Sequence, residues 1–207
     1  MTPKKVIITG MRAPFWGARD GAEVWGCSIC YFNQKDLDRL YNADHLPGLT
    51  CSDPDYIANV NKHGFQVWMQ APHPEIPNSH AIPKDEMMRY FGLSHPYWTS
   101  TIAYMVSHAI YEGYNDITIH RVLEVVGSKD YIFQKPCLDF WLGVALGRGI
   151  KIRISEGSML CRPHPWETGE YGYELHDQWD TVHSSFASVA AAMSRIPIKF
   201  YRTDGQH

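Results

Sequence analysis

The sequence predicts an α/β domain: a mainly parallel, twisted sheet of about five strands with helices on both faces. Three observations carry this expectation. The stretch from Pro96 to Ile154 reads in turn as a polar helix start, an apolar helix, a strand, a loop, a second helix and another strand, the order that builds right-handed parallel crossovers. The apolar run Lys5 to Thr9 is followed by GMRAPFWGARDGAEVWG, with four glycines and one proline; a glycine-rich loop after the first strand is where open α/β sheets receive nucleotides. The 207 residues are 44% hydrophobic and 20% charged, enough for one well-buried domain with some additions.

Each element has a local cause. Lys5 to Thr9 is rich in β-branched residues. Val24 to Cys30 is the next strand, and Asp36 to Tyr41 reads equally as a short helix or a strand. Asp53 to about Lys62 is a helix with Ser52 as cap and Gly64 just past its end, where glycine readily takes the left-handed closing turn. Phe65 to Met69 is a strand of β-forming residues. The proline-rich segment APHPEIPNSHAIP excludes a helix or a central strand and is expected to be a surface loop. Pro83 to Phe91 is a helix, with proline in its first turn, Asp85 and Glu86 near its positive end and Gly92 as its stop. The helix from about Thr101 to Glu112 ends at Gly113 and runs into the strand Asp116 to His120. A helix from about Pro136 to Leu146 stops at Gly147 and Gly149, before the strand Ile150 to Ile154. Residues 161–207 are aromatic and punctuated by Gly and Pro, then Ala/Ser-rich. They are expected to form a C-terminal extension packing on the 1–160 domain or on a neighbouring subunit.

Composition narrows the function classes. Net charge is −3 with no long basic run, so a broad nucleic-acid surface is not indicated. No apolar stretch approaches the length of a membrane span, and the run after Lys5 is too short for a secretion signal; the expected location is the cytoplasm. Five scattered cysteines fit reduced thiols better than a disulfide framework. Cys27 and Cys30 form CxxC, but on a strand their side chains point to opposite faces, so no metal site is expected there.

The chemistry concentrates at Thr99, Ser100 and Thr101. They offer hydroxyls and backbone N–H groups at a helix start, where the apolar run of Ile102, Ala103, Met105 and Val106 begins. A phosphate suits such a helix start; the plainer reading is that Thr99 or Ser100 caps its helix.

Six segments, in order, extend the argument: VWGCSICY, EIPNSHAIP, YWTSTIAYM, YEGYNDITI, DYIFQKPCLDFW and GRGIKIRI. Together with the first strand and its small-residue loop they resemble a group of phage and bacterial Rossmann-like proteins. That group is distantly related to the bacterial sialyltransferases, the motility accessory factors and the 6-hydroxymethylpterin pyrophosphokinase-like enzymes. The resemblance runs from roughly Lys4 to Leu160. It implies a Rossmann-like nucleotide-binding domain, with a nucleotide or nucleotide-sugar as substrate and no firmly implied cofactor or metal. Thr99 and Ser100 would sit beside the nucleotide phosphate, with Tyr131 facing the leaving phosphate from a loop after a strand. Hydroxyl and phenol donors there stabilise developing negative charge.

Ser28 stands where the group has Asn, and Arg121 and Leu123 replace a glycine and an acidic residue after the fourth strand. Glu124 is the candidate for the displaced acidic role, and Arg121 for neutralising a phosphate. Gly10 and Met11, in the loop after the first strand, complete the nucleotide-binding set with Ser28, Thr99, Ser100, Thr101 and Arg121.

Glycosyl transfer needs a base for the acceptor hydroxyl, and histidine suits that role. His45, in an NADH segment resembling an E-x-H pattern of the group, and His80 are the first candidates; Asp44 beside His45 reads more simply as part of a turn. His120, at the carboxyl end of its strand, ranks next. The expected function is therefore a phage-type transferase moving a glycosyl-type group to an unknown acceptor. The alternatives are a non-catalytic nucleotide-sensing or scavenging protein and a pterin pyrophosphokinase-like enzyme. A homo-oligomer, and nucleic acid as acceptor, stay open.

Overall fold

The computed structural model describes residues 3–11, 14–43, 53–122 and 129–162, the side chains of 129–133 excepted. In chain order the elements are β1 (Lys5–Thr9), β2 (Glu23–Cys27), a 3-10 turn (Cys30–Phe32), β3 (Arg39–Asn42), α1 (Tyr56–His63), β4 (Gln66–Met69), β5 (Ser79–Ala81), α2 (Lys84–Phe91), α3 (Thr101–Tyr111), β6 (Asp116–His120), α4 (Lys129–Gly147) and β7 (Lys151–Ile154). The strands form one seven-stranded sheet in the order β5-β4-β3-β2-β1-β6-β7, and every neighbouring pair is parallel. The chain also divides into two compact units, Met1–Arg162 and Pro163–His207; the second lies outside the described residues.

The expected Rossmann-like α/β fold is observed, with seven strands in place of about five. Residues 39–42, legible as helix or strand, form β3 between β2 and β4. β5 lies inside the proline-rich segment, which still satisfies the proline rule because this three-residue strand is the outermost of the sheet. Pro77 and Pro83 flank it, and an edge strand needs no donor on its outer side.

Strand alternation sends one set of side chains to each face. Ile8, Trp25, Tyr41, Ile117 and Ile119 pack with Met105, Val106 and Ala109 of α3 and with Leu138, Trp141 and Leu142 of α4. Ile7, Val24, Leu40 and Val67 pack beneath Tyr31, Tyr56, Val60 and Phe65. Burying each large apolar side chain contributes roughly 1.5–3 kcal/mol. The coverage is uneven: β1 reaches β2 through residues 10–22 with no helix among the described ones. β6 accordingly carries polar Asp116 and Thr118 between its apolar residues, and β7 carries Lys151 and Arg153.

The direction of α3 decides where its start lies. Its far end is tied to the amino edge of the sheet, where Lys4 Nζ donates to the Glu112 carbonyl (3.3 Å) and Arg39 donates to Glu112 Oε1 (2.9 Å). α3 therefore runs against the strands, and Ser100 opens it at their carboxyl edge. α4 also differs from expectation. It begins at Lys129 and contains Pro136 in its interior, which forfeits one hydrogen bond to the preceding turn and crowds the carbonyl four residues back, while Cys137, Leu138 and Trp141 anchor the helix in the core. Tyr131 is thus helical, not in a loop after a strand.

Candidate functional site

Strand order reverses between β1 and β6: β1 to β5 build outward on one side, and β6 and β7 on the other. In open parallel sheets the crevice beyond the carboxyl ends at such a reversal is the usual ligand position. Here His120 ends β6, and Gly10, Met11 and Arg121 follow the two strands. Gly10 N donates to the His120 carbonyl (3.2 Å), and a Cβ built on Gly10 would lie 2.6 Å from the Arg121 carbonyl oxygen. The glycine is therefore required for the two chain segments to touch, and any crevice opens beyond it. Met11 is 45% exposed at that rim.

Arg121 takes a left-handed backbone (φ 51), and its N–H donates to Ser155 Oγ (2.8 Å). The His120 ring meets Phe15 edge-on at 5.3 Å, so the loop after β1 folds back onto the end of β6. Ser28, at the end of β2, also has a left-handed backbone (φ 52); it is buried, and its N–H donates to the Tyr41 carbonyl (2.8 Å). The turn it makes sends Cys30 back over Gly26, so Cys27 and Cys30 lie in the cores on opposite faces. That is the expected separation, produced by a turn after the strand. Burial pushes the Cys30 thiol up, leaving it a poor nucleophile.

Ser100 is the N-cap of α3, its Oγ accepting from Ala103 N at 3.2 Å. The plainer reading of this residue is thus realised. It leaves the hydroxyl hydrogen and the other first-turn N–H groups facing the carboxyl edge. Trp98 fixes the approach to the helix: its Nε1 donates to Ser107 Oγ (2.8 Å), and its ring stacks on Trp141 at 5.8 Å. Thr99 is exposed and Thr101 half-buried.

His45, Leu123 and Glu124 lie outside the described residues, as does the Tyr131 side chain. His80 stands exposed on β5, its ring 5.1 Å from that of Trp68, on the sheet's outer edge and away from the β1/β6 reversal. The structure therefore brings together Gly10, Met11, Ser28, Ser100, Thr101, His120 and Arg121 along one edge. Two surface cavities, of about 230 and 300 Å³, lie elsewhere and contain none of them.

Sequence reasoning missed several polar residues near this edge. Asn42, at the end of β3, is fully buried and donates to Tyr56 Oη (2.7 Å). Asp53, before α1, accepts from the Tyr31 hydroxyl, from Asn59 Nδ2 (3.0 Å) and from Asp55 N (3.1 Å). Burial pushes its carboxyl up, but these hydrogen bonds outweigh burial and hold it below the ordinary value. Lys84 Nζ donates to Gln70 Oε1 (2.6 Å), and Gln70 Nε2 donates to the Ala43 carbonyl (3.2 Å). A polar residue directly after a strand's apolar run, as at Asn42 and Gln70, was the available signal.

At the opposite edge, Glu112 accepts from Arg39 and lies 3.2 Å from His108 Nε2, while the Tyr41 hydroxyl meets His108 Nδ1 at 2.7 Å. Burial opposes ionisation of Glu112, yet His108 and Arg39 hold its carboxyl at about 2. Arg39 also lies over the Trp25 ring at 4.5 Å. This network ties β2, β3 and α3 together; its distance from the carboxyl edge makes it structural.

No protein-family model matches the chain, and no curated protein matches it. Among solved structures, the chain is similar to the sialyltransferase CstII from Campylobacter jejuni, determined with the substrate analogue CMP-3FNeuAc; identity is 14%, the match covers 73% of this chain and 79% of that one, and the TM-score is 0.42.

Proposed function

We propose that the chain binds a nucleotide or nucleotide-sugar at the carboxyl edge between β1 and β6 and transfers a glycosyl-type group to an acceptor by direct displacement. The observation that carries this reading is the coincidence at one edge of the strand-order reversal and the Ser100 start of α3. A phosphate there would meet first-turn N–H groups and the positive helix end, with Arg121 beside it for charge neutralisation. The ordered motifs that resemble the sialyltransferase-related group support the transfer chemistry. In that chemistry, the donor's anomeric carbon gains a bond to the acceptor oxygen as its bond to the phosphate oxygen breaks. The nucleotide leaves with the electron pair, and a base takes the acceptor proton. We assign the role of that base to His120, at the β6 terminus, because histidine suits proton transfer near neutral pH.

Calorimetry with nucleoside mono- and diphosphates and CMP-sugars tests the binding step. Binding weakened at least about tenfold by a Thr99→Ala, Ser100→Ala double change is expected, the loss of one or two charge-assisted hydrogen bonds. No binding by any of these compounds, or binding indifferent to the double change, refutes the assignment. Release of free nucleotide on turnover separates a transferase from a protein that only binds, which returns its ligand unaltered.

A further inference from the structure

Arg121 after β6 and Lys84 at the start of α2 are cationic side chains at the carboxyl edge. Lys84 has a distinctive environment. Its ammonium group donates to the neutral amide oxygen of Gln70 (2.6 Å), and no carboxylate lies within ion-pairing distance among the described residues. Glu86, two residues on, is turned to Arg89 (3.7 Å), and the adjacent Asp85 is exposed. Gln70 is itself held, its Nε2 on the Ala43 carbonyl, so β3, β4 and α2 together fix the direction of the Lys84 side chain. The residue is half-buried. An ammonium has three donors and uses one here, so two remain for a ligand. Partial removal from water strengthens whatever opposite charge meets it.

Position separates this group from the phosphate site. β4 lies three strands from β1 in the sheet, about 14 Å at the usual strand spacing, too far for the phosphate at the reversal to reach both. α3 covers β1 to β3 between them, so a group on Lys84 approaches from the other flank of the Ser100 helix start. We propose that Lys84, oriented by Gln70, is an oxyanion subsite for the second substrate: the acceptor carries a carboxylate or a phosphate ester. This rests on the transferase reading, and it adds to that reading the chemical class of the acceptor.

The test uses the full chain and three sugars differing in charge: glucose, glucuronate and glucose 6-phosphate, titrated by calorimetry or ligand-observed NMR. Either or both anionic sugars are expected to bind at least about tenfold more tightly than glucose, the scale of one charge-assisted hydrogen bond. Comparing the two anions tells carboxylate from phosphate. Lys84→Met abolishes the preference, Lys84→Arg retains part of it, and nucleotide affinity stays unchanged in both. Equal binding of charged and neutral sugars, absence of binding by all three, or a preference that survives Lys84→Met overturns the proposal. Nucleotide binding is measured separately in the same samples, so its failure sinks the transferase reading while the anion preference is still read on its own.

Discussion

Glu112→Gln removes one negative charge from the amino-edge network while keeping the shape of the side chain. In the folded protein this carboxyl titrates at about 2, against an ordinary 4.5, because His108 and Arg39 favour its charged form by more than burial opposes it. Each pKa unit corresponds to about 1.4 kcal/mol, so the ionised carboxylate contributes on the order of 3 kcal/mol. The folded value is depressed, so this contribution is fully present above the unfolded value of 4.5. It falls away as acid carries the solution down through about 2. The side chain is 20% exposed, and the variant leaves Glu23, at 3.1 Å, as the remaining carboxylate on Arg39. Urea unfolding followed by tryptophan fluorescence at neutral pH should show Glu112→Gln less stable by about 2–3 kcal/mol, equivalent to a midpoint lowered by roughly 4–12 °C in heat. Repeated near pH 3, the gap between wild type and variant should shrink by about half or more. A loss below about 0.5 kcal/mol at neutral pH would match an ordinary exposed ion pair and refute the reasoning; so would a loss that does not change with pH.

Other outcomes follow from the candidate edge. Gly10→Ala forces a Cβ to within 2.6 Å of the Arg121 carbonyl; the expected cost is about 1–3 kcal/mol, read by chemical denaturation, and a neutral effect would show that β1 and β6 can part freely there. Ser100→Ala alone loses the cap on Ala103 N and about 1 kcal/mol of stability; Ser100→Asp, which retains a capping oxygen, should recover that stability while weakening any anion at the same place. Asp53→Asn leaves the Tyr31 hydroxyl with a weaker acceptor, at a cost of about 1–2 kcal/mol. Because the Asp53 carboxyl is held below its ordinary value, the cost should be largest at neutral pH and shrink in acid, as denaturation at two pH values will show.

The layered α/β architecture was legible because its signals are local. Gly64 and Gly92 close α1 and α2 in left-handed turns, and the Ser100 cap lies one residue before the helix it starts. β3 and β5 were not legible in the same way: four and three residues long, they are strands because a neighbouring strand supplies their hydrogen bonds, and no short segment carries that information alone. The helical placement of Tyr131 has the same origin, since Pro136 reads locally as a helix start, whereas the helix runs back to Lys129. Of the candidate site, the hydroxyls at residues 99–101 and the His120 terminus were readable as types of chemistry in suggestive places. Lys84 and Gln70 were not, being fourteen residues apart and brought together by the β4–β5 pairing.

By itself, the sequence determined where the chain turns, which residues are apolar with strand or helix period, and which segment offers donors to an anion. These depend on neighbours a few residues away. Only the tertiary structure decided the order of the seven strands, and with it the reversal between β1 and β6 and the alignment of Ser100, His120, Arg121 and Lys84 along one edge. Strand order follows from which buried faces pack best across long separations in the chain, a property of the whole core that no local pattern contains.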